Sequence, residues 1–214
     1  INGDDPNTRK AVVGNPAEIL LPFGLDEGTR YRAVDIADTK RACERFTVLK
    51  DGAPLCEVSL RIPGKHNIYN ALAAVAVADY MGVDAQTIAE SLHQFTGVHR
   101  RFEILGTFNG VTVADDFAHH PTELTATLNA AMHMGFREVW AVFQPHTFSR
   151  TYMLLNDFAK ALSIPDHAVL SEILPVREVN TYNIYAKDLA EKIPGCVWFP
   201  TFEEIRDYVM AKAQ

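Results

Sequence analysis

Residues 115–123 read Asp115-Asp116-Phe117-Ala118-His119-His120-Pro121-Thr122-Glu123, and this stretch decides the fold. The four residues before it, Val111-Thr112-Val113-Ala114, read as a buried strand. Pro121 suits the first position of a helix, and Glu123 suits the positive end of that helix. Asp115 to His120 then form the turn at the C-terminal edge of a strand, where α/β proteins place their ligands. Two acids and two histidines crowded at such an edge are costly unless they bind something. The plainer alternative is that Asp116 or His120 caps the helix and the others are solvated.

Downstream the chain alternates strand and helix. The pattern predicts strand 111–115, helix 121–134 ended by Gly135, strand 138–143, a helix near 152–162 and strand 167–171. A helix near 184–192, strand 196–199 and helix 201–213 follow. That alternation predicts a doubly wound, mostly parallel sheet of Rossmann-like type. Strand 138–143 is expected beside strand 111–115. After it comes a second polar group, with Gln144, His146, Ser149 and Arg150 inside F-Q-P-H-T-F-S-R-T, residues 143–151. Histidines and charge on two adjacent strand ends point to one pocket. Arg150 is suited to a carboxylate, which its guanidinium binds at two points. The alternative is an ion pair with a nearby acid such as Asp157, tethering the next helix.

Upstream the reading is of another kind. Ile1 to Pro6 suggest a strand end running into a turn. Ile19-Leu20-Leu21 suggest a short strand stopped by Pro22, and 25–45 read as a solvated polar stretch. Phe46–Leu49 and Cys56–Ile62 flank the turn signal Asp51-Gly52, with a connection longer than two residues. Cys56, Val58, Leu60 and Ile62 alternate with polar residues, as in a strand with one wet face. Residues 63–82 then hold an alanine-rich helix with Asn67 as its expected N-cap and Gly82 as its stop. Asn67 and Asn70, three apart, show their amides on one side of the first turn and offer the paired donors and acceptors that a purine edge requires. A further helix runs from its N-cap, Asp84, to about Phe95. Adjacent Arg100 and Arg101 suit surface charge or a polyphosphate, and Asn109-Gly110 reads as a turn.

The 214 residues suffice for one large or two modest domains. With 48% hydrophobic and 22% charged residues, the composition is that of an ordinary globular protein. A formal charge of −7 argues against a nucleic-acid or membrane-surface binder. No apolar run reaches membrane-spanning length. Cys43, Cys56 and Cys196 lack metal-ligand spacing and read as reduced thiols, pointing to the cytoplasm. The chain starts at Ile1, which suggests a piece of something longer. Neither G-x-x-x-x-G-K-[ST] nor G-x-G-x-x-G occurs.

Four motifs, G-K-H-N-I-Y-N, H-R-R-F-E, D-D-F-A-H-H-P-T-E and F-Q-P-H-T-F-S-R-T, stand in the order seen in the Mur ligases of peptidoglycan synthesis, and the chain resembles that family. The resemblance implies that residues 1–96 are the later part of a central ATP-binding α/β domain. Residues 97–214 would be the Rossmann-like C-terminal domain, lacking its last strand. It implies an ATP- and magnesium-dependent, ADP-forming ligase of cell-wall biogenesis, and the last two motifs look most like the members that join L-alanine to UDP-N-acetylmuramate through an acyl phosphate. It assigns Asn67 and Asn70 to adenine with His66 nearby, Arg101 to the ATP phosphates across the domain junction, and Asp116 to the ribose hydroxyls. His119, His146 and Arg150 would surround the incoming amino acid, with Arg150 on its carboxylate and the histidines on the amine and reacting-carbonyl side. No metal ligand is expected in this chain. Three positions depart from what is common in the family: Phe117-Ala118 replace Tyr-Gly, and Thr147 replaces an arginine. The phosphate loop, the upstream metal-binding glutamate and histidine and the UDP-sugar domain are missing, so the chain alone is expected to be inactive. The alternatives are the ligase that recycles a whole peptide onto UDP-N-acetylmuramate and a non-catalytic nucleotide-binding module.

Overall fold

The computed structural model describes residues 1–16, 20–39 and 43–213. They form two compact units, Ile1–Gly97 and Val98–Gln214.

The first unit begins with a short helix, α1 (Pro6–Ala11), whose N-cap Asp5 accepts from the Asn7 amide. Its sheet has the order β1 (Phe23–Gly24), β2 (Tyr31–Asp38), β3 (Cys43–Lys50) and β4 (Ala53–Pro63), with β1 and β2 parallel and the rest antiparallel. Asp51 and Gly52 both have positive φ, at 50° and 83°. That is the geometry of a two-residue hairpin turn, and Lys50 pairs with Ala53 across it. The connection is therefore shorter than the apolar pattern predicted, because the strands run on to Lys50 on one side and back to Ala53 on the other, beyond the alternating residues. Strand β2 was hidden by its composition. Its inward residues, Tyr31 and Ala33, are buried, but charges on either side of them made 25–45 read as solvated. The strand expected at Ile19-Leu20-Leu21 is not found at Leu20 or Leu21, and Ile19 lies outside the described residues.

Helix α2 (His66–Tyr80) lies on this sheet. Ile68, Leu72 and Val75 recur at helical spacing and pack with Phe46, Val48, Val58 and Leu60. Full burial of such a side chain contributes roughly 1.5–3 kcal/mol, so this face holds the helix down. The far end is fastened by Asp79, which accepts from the Tyr31 hydroxyl at 2.5 Å and pairs with Lys50 at 2.6 Å. Burial, followed by the Asp79 carboxylate, pushes the Tyr31 hydroxyl up to about 12. Gly82 stops the helix at φ 84°, as read from the sequence. Helix α3 (Ala85–Gln94) starts at Asp84, whose carboxylate accepts from the Thr87 amide.

The second unit opens with a hairpin, β5 (Glu103–Phe108) and β6 (Val111–Asp115), turning at Asn109-Gly110. Helix α4 (Pro121–Met132) follows. Then come β7 (Trp140–Phe143), helices α5 (Phe148–Met153) and α6 (Leu155–Leu162), β8 (His167–Ser171), α7 (Ala186–Ala190), β9 (Val197–Phe199) and α8 (Phe202–Lys212). Strands β7, β8 and β9 are parallel and adjacent in that order. Ala141, Phe143, Ala168, Leu170 and Trp198 face the core shared with α4, α6 and α7. On the other face Tyr208 of α8 meets Trp140 and Phe199. With helices on both faces, the sheet is of the doubly wound, Rossmann-like type expected.

Three expectations fail here. Strand β6 is not buried, since Val111 is 37% and Val113 40% exposed. Nor does it pair with β7, because among the described residues its partner is β5. An apolar run reports what its side chains prefer, but burial needs a second neighbour. The helix expected near 152–162 is also broken, at Leu154, into α5 and α6.

Candidate functional site

In the first unit, His66 opens α2, and the residue at the N-cap position is Lys65, not Asn67. Asn67 sits inside the first turn, where its amide donates to the Pro63 carbonyl at 2.8 Å. The expected cap fails because Gly64 and Lys65 already turn the chain, with the Asn67 amide N–H bonded to the Gly64 carbonyl. The two asparagines do meet, as Asn70 Nδ2 donates to Asn67 Oδ1 at 2.9 Å. Each amide carries two donors and an acceptor oxygen. The contact therefore leaves the exposed Asn70 its carbonyl oxygen and a second N–H, the pair that an adenine edge uses.

In the second unit, the loop after β6 and the loop after β7 converge although their strands are not hydrogen-bonded neighbours. The rings of His119 and His146 lie 5.9 Å apart, and Arg150 Nη1 donates to the His119 carbonyl at 3.4 Å. Arg150 forms no ion pair among the described residues, so the tether to Asp157 is not made. Its charge is left uncompensated beside His146, whose pKa falls below the usual value through burial, then Arg150, then His119. His146 is thus a neutral imidazole at pH 7, next to a guanidinium. A site of that character favours an anion with a protonated group to be relieved of its proton.

Asp116 is busier than expected. Its Oδ2 accepts from the Phe102 amide at 2.8 Å and from the Thr127 hydroxyl at 3.2 Å, and its Oδ1 accepts from the Ala118 amide at 2.6 Å. With about four lone-pair positions on a carboxylate, one on Oδ1 remains. The Phe102 bond hooks the turn before β5 onto the loop after β6, and the Phe117 amide donates back to the Arg100 carbonyl. Arg100 and Phe102 both hold positive φ there, at 59° and 49°. Arg101 lies within this turn. Arg100 points to Asp115 at 3.1 Å and lies over the Phe117 ring at 4.6 Å.

Three glutamates at this site were missed or under-read. Glu123 accepts from the His119 and His120 amides at 3.0 and 3.2 Å, completing a capping box with His120. It also faces Arg101 Nη1 at 3.6 Å and His119 Nδ1 at 3.8 Å. The His119 amide is the main cause that holds its carboxyl low. Glu172 directly follows β8, and one of its side-chain oxygens accepts from the Ile173 and Ala186 amides. Glu178 binds the Ser149 amide and hydroxyl. Of the three, only Glu123 had a local signal, the three-residue spacing from His120.

Thr147 starts α5 at φ 68° and ψ 145°. A β-branched residue in that region stores roughly 1–3 kcal/mol of strain, which the surroundings must hold in place. Among the described residues no group of three His, Cys, Asp or Glu side chains is placed to hold a metal ion. No described helix is long and apolar enough to cross a membrane.

The family model of the Mur ligase middle domain matches residues 1–78, and that of the Mur ligase glutamate ligase domain matches residues 100–214. The UDP-N-acetylmuramate–L-alanine ligase of Agathobacter rectalis is 43% identical over 98% of this chain and 46% of the relative. The chain thus spans about half the length of the curated relatives it matches. The crystal structure of UDP-N-acetylmuramate–alanine ligase from Thermotoga maritima is similar with a TM-score of 0.72 at 29% identity, covering 87% of this chain and 41% of that one. A murein peptide ligase from Psychrobacter arcticus gives 0.61 at 27% identity, covering 90% and 42%.

Proposed function

The chain belongs to the Mur ligase family, and from that premise we propose that it is the later half of an ATP-dependent UDP-N-acetylmuramate–L-alanine ligase of the cytoplasm. Its first unit would be the end of the central ATP-binding domain and its second unit the C-terminal domain. The unpartnered edges of β6 and β7 among the described residues favour a domain completed by a further strand. The whole protein would join L-alanine to UDP-N-acetylmuramate with ATP and magnesium, release ADP, and so serve peptidoglycan synthesis, cell shape and division.

One observation carries the amino-acid assignment: Arg150, free of any acidic partner among the described residues, beside a neutral His146 and close to His119. In this reading Arg150 takes the amino-acid carboxylate through its two-point fork. An amine must lose its proton before it attacks a carbonyl, and His146 and His119 line that side as proton acceptors. ATP supplies the phosphoryl group that activates the other carboxylate. We assign adenine to Asn67 and Asn70 with His66 nearby, the ribose hydroxyls to the remaining lone pair of Asp116, and the phosphates to Arg101. Arg101 is more than half exposed, and its one ion pair among the described residues is with Glu123 at 3.6 Å. A surface pair of that kind is worth about 0–1 kcal/mol, so a polyphosphate displaces it readily.

The test is phosphate release by the full-length protein with L-alanine or a tripeptide as acceptor. Release with L-alanine is the expected result. Release with the tripeptide alone would identify a peptide-recycling ligase, and release with neither would leave a nucleotide-binding module.

A further inference from the structure

The loop after β8 makes an unusual number of bonds to the segment that carries His146 and Arg150. The Leu174 amide donates to the Pro145 carbonyl at 2.9 Å, and the Thr147 amide donates to the Leu174 carbonyl at 2.9 Å. Gln144 Nε2 reaches the Glu172 carbonyl at 3.3 Å. Beyond these bonds Glu178 closes the brace, with one carboxylate oxygen on the Ser149 amide at 2.8 Å and the other on the Ser149 hydroxyl at 2.5 Å. Ser149 is the residue before Arg150 and the second residue of α5.

We propose that Glu178 is a positioning residue for the amino-acid site, locking the strained Thr147–Ser149 corner so that Arg150 and His146 face the same ligand. The inference rests on the assignment of Arg150 to the amino-acid carboxylate made above. A residue at positive φ stays there only while its neighbours over-determine it. Thr147 has its own amide tied to Leu174, and its carbonyl receives the Thr151 hydroxyl at 2.7 Å and the Thr151 amide at 3.2 Å. The next residue along that needs a fixed direction is Ser149, and Glu178 holds it by two short bonds, beside a longer contact of 3.5 Å between the Ser149 and Thr147 hydroxyls. The serine hydroxyl, followed by the serine amide, holds the Glu178 carboxyl below its usual range, as expected for an ionised clamp. Glu178 is itself anchored, since its amide donates to the Pro175 carbonyl at 2.9 Å. A two-point fork such as Arg150 loses much of its grip when tilted, because both N–H bonds must aim at once.

The experiment compares Glu178→Ala, Glu178→Gln, Ser149→Ala and the double variant Glu178→Ala/Ser149→Ala in the full-length ligase. Arg150→Lys is measured alongside. Glu178→Ala is expected to raise the KM for L-alanine about tenfold, the equivalent of one lost charge-assisted bond, while the KM for ATP stays within about twofold of the parent. Glu178→Gln, which keeps one acceptor oxygen, should recover part of that loss. The double variant should be no worse than Glu178→Ala alone, since both changes break one clamp. If Glu178→Ala lowers the melting temperature but leaves alanine saturation unchanged, the residue is merely structural and the proposal is overturned. Equal loss for ATP and alanine would overturn it too. If Arg150→Lys also leaves the alanine KM unchanged, the carboxylate assignment itself is wrong, and the positioning role falls with it.

Discussion

Asp116 gives the sharpest test of the second unit, because its structural role and its proposed ribose role separate experimentally. Its carboxylate satisfies the backbone amides of Phe102 and Ala118 at 2.8 and 2.6 Å and the Thr127 hydroxyl at 3.2 Å. Asp116→Ala removes the acceptor for all three. One hydrogen bond to a charged group is worth about 1.5–3 kcal/mol. The site is only half-buried, so water recovers part of the loss, and the net cost is set at about 2–3 kcal/mol on that scale. For a unit of this size that lowers the melting temperature by about 10 °C. Circular dichroism on the parent, Asp116→Asn and Asp116→Ala proteins measures it. Asn keeps one carbonyl oxygen and should lie between the other two.

The second role is read with nucleotides. If the remaining lone pair on Oδ1 accepts from the ribose, the parent protein should prefer ATP over 2′-deoxy-ATP, and Asp116→Ala should erase that preference while raising the KM for ATP. The Phe102 bond adds an indirect effect, since it fixes the turn that carries Arg101. Loss of that bond weakens both nucleotides alike and leaves their ratio untouched, so the ratio isolates the ribose contact. An unchanged melting temperature in Asp116→Ala would refute the anchoring argument. An unchanged preference for ATP would refute the ribose assignment, even if the KM rose.

Arg150→Ala should raise the KM for L-alanine by more than tenfold, on the loss of a charge-assisted pair, and Arg150→Lys should recover only part of it because an ammonium lacks the planar fork. Both variants should alter ATP saturation little, as steady-state kinetics will show. His146 titrates below its usual value in the folded protein, so the unfolded chain binds the extra proton first as pH falls. Its contribution to stability is therefore complete above about pH 6.5 and is lost as pH drops below that value. His146→Gln should flatten that part of the denaturation profile. Residues 1–214 alone should release no phosphate in response to L-alanine, since the sequence has no G-x-x-x-x-G-K-[ST] loop to hold the nucleotide phosphates; amino-acid-dependent turnover by the isolated chain would refute this.

What could be read from the sequence divides along a physical line. Signals that act within four or five residues mostly came through, the Asn67 cap being an exception. The Asp84 cap, the Gly82 stop, the Asn109-Gly110 turn and the helix start at Pro121 each follow from a local backbone requirement, and each is found in the structure. Signals that depend on a neighbour did not. Val111 and Val113 carry the same apolar preference as Val169, yet Val169 is fully buried between two paired strands while the other two are more than a third exposed. β2 shows the reverse case, in which Tyr31 is buried by β1, β3 and the Asp79 bond despite charged flanks. The candidate site divides in the same way. That His119, His146 and Arg150, the groups proposed to face the ligand, come together was legible because they crowd the ends of strands. The residues that aim them were not. Glu178 stands 29 positions from Ser149, and nothing in its own surroundings, Val176-Arg177-Glu178-Val179, departs from an ordinary polar loop. An isolated glutamate on a loop costs nothing and so leaves no local mark. Only the donors it satisfies at the start of α5 show that this carboxylate has a fixed place.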